Sequence, residues 1–411
     1  MAQSPAVPTV PTFGEAEKTA TFSDVVHPVQ HPELTLLGPR QVWRFYNMES
    51  VKNMGEGQTI ALIGSHHDPV IEHDLAVFSQ RFGLPLCSVK NGCFRQIDIP
   101  DTAHPGAVEG GAYTYVEESM DVEWAHAIAP KAKLMLVEAP QSTWQNFLAC
   151  VDAAVANGAT VVSLSLAEPQ RAEHRQMYLD GNRHFQDTRA SYVASGGDHA
   201  HTARWPASSP DVVGVGGTTI KTDATGARLG ETAWRSRPAG DRYVGTGGGL
   251  SLAESEPQAQ IAFGIPNDPD KMRGTPDVSY YASSRTEIAV FDSNASAKTG
   301  ESGWRQGGGT SAGAPQWAGL IAVADSMRAA KGKVPLSQFD GKSFGKGTLA
   351  ALYTVAKTTP TAFFDITEGS NRWGESDKCG QECEAGPGYD YLTGLGSPNA
   401  AVLLDALAAL P

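Results

Sequence analysis

Short apolar segments alternate with helix-period segments along most of this 411-residue chain, and that alternation constrains the fold more than any other feature. The pattern predicts strands at 59–63, 132–137, 160–166, 191–195, 212–216 and 288–291. It predicts helices at about 70–82, 115–129, 142–157, 170–187, 314–331 and 398–409. Strands and helices in alternation favour a mostly parallel sheet flanked by helices on both faces. In such an α/β fold the functional site lies beyond the carboxyl ends of the strands. Residues 1–36 are Pro-rich and aperiodic and are expected to form a loose arm, with a single domain over 37–411.

The net charge of −13, with no Lys/Arg block, argues against nucleic acid and anionic membranes as partners. No apolar run approaches the roughly 20 residues needed to span a bilayer. The first residues, Met1 to Pro8, lack the basic and apolar regions of a signal peptide. The cysteines point the other way. Cys87/Cys93 and Cys379/Cys383 each flank a short loop and are expected to form disulfides, which suits an oxidising, extracellular compartment. Cys150 falls within a helical pattern and reads as a buried free thiol.

Chemistry enters at Gly309-Thr310-Ser311-Ala312-Gly313-Ala314-Pro315, where a Gly-rich strand meets a long apolar helix. Small neighbours expose the Ser311 hydroxyl and let a backbone amide approach a reacting carbonyl. The segment fits the G-x-S-x-G elbow of α/β-hydrolases, but their histidine follows the serine, and no histidine lies beyond His201. A subtilisin-type order requires aspartate and histidine before the serine. Here the first strand runs into Gly64-Ser65 where that aspartate would stand, and none of the eleven histidines is followed by glycine. A Ser-His-Asp enzyme is therefore not expected.

A different base is available. Glu117 and Asp121, four residues apart in a segment ending at Pro130, share one helix face. Acidic pairs at this spacing are common on solvated faces, so spacing alone leaves both readings open. Two carboxylates held close cannot easily both ionise, and such a pair can act as general base in mildly acidic solution. A third acid, Asp198, follows a strand and two glycines; when protonated it could donate to an oxyanion.

Taken together, these residues resemble the sedolisin family, serine-carboxyl peptidases on a subtilisin-like fold. The resemblance runs from about residue 37 to the C-terminus. Its marks are Glu117-x-x-x-Asp121, Asp198, Trp205-Pro206-Ala207-Ser208, Val215-Gly216-Gly217-Thr218 and Thr246-Gly247-Gly248-Gly249. They continue with Pro276-Asp277-Val278, Gly309-Thr310-Ser311-x-x-Ala314-Pro315, Asp365-Ile366-Thr367, Gly386-Pro387-Gly388-Tyr389-Asp390 and Thr393-Gly394-Leu395-Gly396. The resemblance implies a three-layer subtilisin-like sandwich and an endopeptidase acting on polypeptides at acidic pH. Ser311 would be its nucleophile, Glu117 and Asp121 its base pair, and Asp198 its oxyanion donor. It also implies one structural Ca²⁺ held by Asp365, Ile366, Gly386, Gly388 and Asp390, in a region spanning about 360–396. A monomer is expected, with substrate lying along Ser163–Leu166 and Gly247–Gly249 as an added strand.

The chain departs from the family pattern in three places. Only some 36 residues precede the catalytic part, where relatives carry a long prodomain. Gly64 stands where relatives often have an acid beside the glutamate. Ala167-Glu168 replaces a Gly-containing turn and is expected to bring an extra acid near the cleft. These departures leave room for the rival expectation, a catalytically weak relative that binds peptides or regulates.

Overall fold

The computed structural model describes residues 36–100, 112–200, 202–223, 225–236, 244–266, 270–283, 288–294, 302–372 and 379–411. The expected N-terminal arm lies almost wholly outside the described residues.

The alternation becomes a sheet. Its strands are β1 (Thr59–Ser65), β2 (Phe94–Asp98), β3 (Lys133–Ala139), β4 (Val161–Leu164), β5 (Ser191–Ser195), β6 (Val212–Thr222), β7 (Arg228–Ala233) and β8 (Val278–Tyr281). They lie in the order β8-β6-β5-β4-β1-β3-β2, all parallel, with β7 added antiparallel to the far end of β6. Period-two alternation sorts the central strands between two cores. Ile60, Leu62, Leu134 and Leu136 face one layer, which includes helices α1 (Ile71–Phe82), α2 (Ala112–Ile128), α4 (Gly309–Ala329) and α5 (Ala400–Ala409). Ala61, Ile63, Met135 and Val137 face the other, built on helix α3 (Trp144–Ala156). Helix α3 starts where the Thr143 hydroxyl accepts the Asn146 amide at 3.3 Å.

Three expectations change. The apolar run at 288–291 does not join the main sheet. It forms Ile288–Asp292, which pairs antiparallel with Gly303–Gly307 in a separate ribbon leading to Ser311. The helix predicted over 170–187 is broken into a helix at Arg175–Gly181 flanked by 3₁₀ turns. Trp205 is buried against this segment, and its indole Nε1 donates to the Asn182 side chain at 2.8 Å, so tertiary packing overrides the helical period. Helix α4 begins at Gly309, five residues before the predicted start, which puts Ser311 in its first turn. The two expected disulfides are formed, and Cys150 is free and buried.

Asp277 holds the sheet edge together. Its carboxylate takes both guanidinium nitrogens of Arg273, at 2.8 and 2.5 Å, and both side chains are fully buried. It also accepts the Gly214 amide at 2.8 Å and the Tyr353 hydroxyl at 2.9 Å. Removing one partner strands a buried charge, which typically costs ~3–5 kcal/mol. Asp277→Ala is therefore expected to lose about that much stability in denaturant unfolding. A loss below ~1 kcal/mol would contradict this account of the pair.

Candidate active site

Ser311 owes its position to two local departures from ordinary helix. Gly309 has φ +78°. A Cβ there would also stand 2.4 Å from Asp198 Oδ2, so only glycine fits. Pro315, inside the helix, has no amide to bond the carbonyl four residues back, which belongs to Ser311. That carbonyl instead accepts the Ser165 hydroxyl at 3.2 Å, tying the start of α4 to the end of β4. Ser311 itself is 7% exposed, so water reaches it sparingly.

The acidic helix faces the same spot. Asp121 is buried, and its Oδ1 accepts the Ser165 hydroxyl at 2.7 Å. Glu117 lies one turn earlier and is partly buried, close to Ser311 and Ser165, with its Oε1 buried and without a hydrogen-bond partner. Burial, then the charges of Asp121 and Asp198, push Glu117 well above the usual carboxylate range, while the two serine contacts pull it down. Burial likewise pushes Asp121 well up, opposed by the bond from Ser165. The structure thus brings Glu117, Asp121 and Ser311 together around Ser165. Sequence reasoning did not single out Ser165 for this place, although its position just past β4 is where a parallel sheet presents functional side chains.

Asp198 follows β5 and is buried. Its Oδ1 accepts the Thr310 amide at 2.8 Å and the Thr310 hydroxyl at 2.7 Å. Its Oδ2 is buried beside Gly309 with no hydrogen-bond partner. Burial raises its pKa, opposed first by the two bonds from Thr310 and then by His199 and Arg204. A protonated Oδ2 would be a hydrogen-bond donor next to the nucleophile's own turn.

Two of the three departures from pattern have structural outcomes. A Cβ on Gly64 would stand 2.3 Å from Glu118 Oε1, so the carboxyl group of Glu118 fills the volume that a side chain at 64 would take. Glu118 accepts the Ser65 amide at 2.8 Å, and burial, then Glu138 and Asp68, push its pKa well up. An acid therefore occupies the volume above Gly64, supplied by helix α2 rather than by β1. Glu168 is buried, and its backbone pairs with Trp205 in a short antiparallel ladder. The third departure, the segment before the catalytic part, lies almost wholly outside the described residues.

The expected substrate edge also narrows. Ser163 and Leu164 lie in β4, a central strand paired on both sides, and Gly247 donates its amide inward to Gly197 O at 2.7 Å. Backbone available for pairing starts at Ser165 and Leu166, just beyond the sheet.

Far along the chain, the two predicted calcium loops meet. The Gly388 amide donates to Asp365 Oδ2 at 2.9 Å. Asp390 accepts the amides of Leu392 and Thr393 at 2.8 Å, the Thr393 hydroxyl at 2.9 Å and the Gly386 amide at 3.2 Å. The two loops thus bring the carboxylates of Asp365 and Asp390 into one region, and hard oxygen donors of this kind suit a hard cation.

Comparison with known proteins bears on the fold and the family. A model of the subtilase family matches residues 109–338. Kumamolisin of Bacillus sp. (strain MN-32) is 31% identical over 374 residues, covering 86% of this chain and 60% of that protein. Sedolisin of Pseudomonas sp. (strain 101) is 32% identical over 205 residues, covering 49% of this chain and 30% of that protein. This chain thus spans 60% or less of the length of these two relatives. The solved structure of Pseudomonas sedolisin, a serine-carboxyl proteinase complexed with pseudo-iodotyrostatin, aligns with a TM-score of 0.73 at 25% identity, covering 90% of this chain and 97% of that one. With this subtilisin-like fold and these matches, the chain belongs to the subtilase family and, within it, to the sedolisin family of serine-carboxyl peptidases.

Proposed function

We propose that the protein is an acid-acting endopeptidase that cleaves extended polypeptides through an acyl-enzyme on Ser311. The observation that carries this reading is the convergence of Glu117 and Asp121 on the turn of Ser311, with the Ser165 hydroxyl bridging Asp121 and the Ser311 carbonyl. Glu117 takes the Ser311 proton as the hydroxyl oxygen attacks the peptide carbonyl. Asp121 shares the remaining proton of the pair, so the couple carries about one negative charge at working pH. The carbonyl oxygen becomes an oxyanion and accepts a hydrogen bond from protonated Asp198. Glu117 then returns its proton to the leaving amine, and water releases the acyl group by the reverse sequence. The substrate backbone pairs with the segment beginning at Ser165 and Leu166.

A calcium ion would be held by the carboxylates of Asp365 and Asp390 and the carbonyls of Ile366, Gly386 and Gly388. Bound only to the folded state, it would supply stability rather than chemistry. The chain's own part is to anchor that loop on the sheet, where the Leu395 amide donates to Asp277 O at 2.7 Å. The paired cysteines and polypeptide substrates suit work outside the cell.

The pH–rate profile tests the mechanism. Asp198 and the Glu117/Asp121 pair are all held above the usual carboxylate range, and each needs its proton. kcat/KM on an unfolded polypeptide should peak in acid and fall toward neutrality as those protons leave. Asp198→Asn keeps a neutral donor at every pH, so its alkaline limb should move upward. A rate maximum near pH 8 would overturn the mechanism, and an unmoved limb in Asp198→Asn would transfer the decline to the acidic pair.

A further inference from the structure

A second cluster of ligand atoms lies at the carboxyl ends of β1, β2 and β3. His67 follows β1, Asp98 ends β2, and Glu138 sits near the end of β3, in register with Asp98. His67 Nδ1 lies 2.9 Å from Asp98 Oδ1 and 3.5 Å from Glu138 Oε2. One ligand atom from each residue falls within 4.8 Å of the other two.

The Glu138 side chain distinguishes this cluster from a chance gathering of surface acids. It is only 1% exposed. Its Oε1 is fixed by the Asp68 amide at 2.7 Å and the Gln96 amide nitrogen at 3.0 Å. Its Oε2 has no hydrogen-bond partner and faces the imidazole. A buried carboxylate oxygen left without a donor is costly, and a bound cation would meet that need. Gln96 also lies 3.4 Å from His67 Nδ1 and donates to Asp68 O at 2.8 Å, so one side chain braces both the imidazole and the buried acid.

We propose that His67, Asp98 and Glu138 bind a divalent transition-metal ion of the zinc type, at a site separate from the Asp365–Asp390 region. One imidazole and two carboxylates form a donor set suited to zinc or manganese rather than to calcium, which takes more oxygens. Metal–ligand bonds of about 2.0–2.1 Å put tetrahedral ligands about 3.3 Å apart. The 3.5 Å separation already matches, and the 2.9 Å pair opens slightly when a metal replaces the shared proton. His67 and Asp98 are about half exposed, at 50% and 58%, which leaves an entry path and room for water as a further ligand. The ion would cross-link three neighbouring strand ends.

The test uses the whole chain, stripped with chelator and then saturated with calcium to fill competing oxygen sites. Zinc chloride is titrated by calorimetry at pH 7, and the melting temperature is followed with and without zinc. One zinc per chain should bind and raise the melting temperature. Loss of a mere supporting residue around a metal costs ~10–100-fold in affinity, so removing two ligands in His67→Ala/Asp98→Asn should cost at least ~100-fold. Both positions are exposed, and an unchanged zinc-free melting temperature would show that the variant folds. Failure of the wild type to bind, or equal binding by the double variant, would overturn the site. None of these readouts depends on peptidase activity.

Discussion

Ser311→Ala and Glu117→Gln are each expected to lower kcat/KM for peptide hydrolysis by about 10⁴-fold or more, with the fold intact. The first removes the attacking oxygen. The second keeps shape and volume but removes the group that accepts its proton. Because the two act as one unit, the double variant should be scarcely slower than either single one. Neither change creates a packing defect: alanine is smaller than serine in a turn of small residues, and glutamine is isosteric with glutamate. Melting temperatures within about 3 °C of wild type would verify that. Either variant retaining more than a tenth of wild-type activity would sink the assignment. Wild-type protein as inert as Ser311→Ala, while folded and calcium-loaded, would favour the peptide-binding alternative.

The second large effect concerns stability rather than rate. Asp325 is buried, its Oδ2 has no partner, and its Oδ1 accepts the Leu336 amide at 2.7 Å. Burial pushes it up to about 7, from an ordinary value of 3.8. Glu117, Asp121 and Glu123 are raised in the same sense, each by burial first. The sign follows from proton binding. Below about pH 4 both folded and unfolded chains hold these protons, and the contribution to stability is complete. As pH rises the unfolded chain ionises first, so stability falls until the folded groups also ionise, near pH 7 for Asp325. The melting temperature should therefore drop by at least ~5 °C between pH 4.5 and pH 8. Asp325→Asn keeps the Leu336 bond without the charge and should flatten that slope. A protein more stable at pH 8 than at pH 4.5 would contradict the account.

Much of this was legible in the sequence because it depends on local period. The strands at 59–63 and 191–195 and the spacing of Glu117 and Asp121 require only a count along the chain. Residue order, the missing strand-end aspartate and the residues after each histidine removed histidine from consideration. What escaped depends on contacts between distant segments. Nothing local tells that Glu118 fills the volume above Gly64, since the two are brought together only when helix α2 packs on β1. The 170–187 period is genuine, yet Trp205, bonded to Asn182 from outside the segment, breaks it. The 288–291 run is as apolar as a central strand, but it pairs with a segment that precedes Ser311 rather than with the sheet. Gly247 to Gly249 read as an open edge because a glycine run does not reveal which backbone it lies against.

Pro315 has a consequence for how the two halves of the site communicate. The Ser165 hydroxyl carries one proton and faces two acceptors, Asp121 Oδ1 at 2.7 Å and the carbonyl of Ser311 at 3.2 Å. It can serve only one of them fully at a time. When Asp121 is charged, the hydroxyl turns toward the acid; when Asp121 gains a proton, the hydroxyl is released to the carbonyl. The nucleophile's backbone thus registers the protonation of an acid that it does not touch. An ordinary residue at 315 would occupy that carbonyl with its own amide and leave the helix insensitive to the proton count next door.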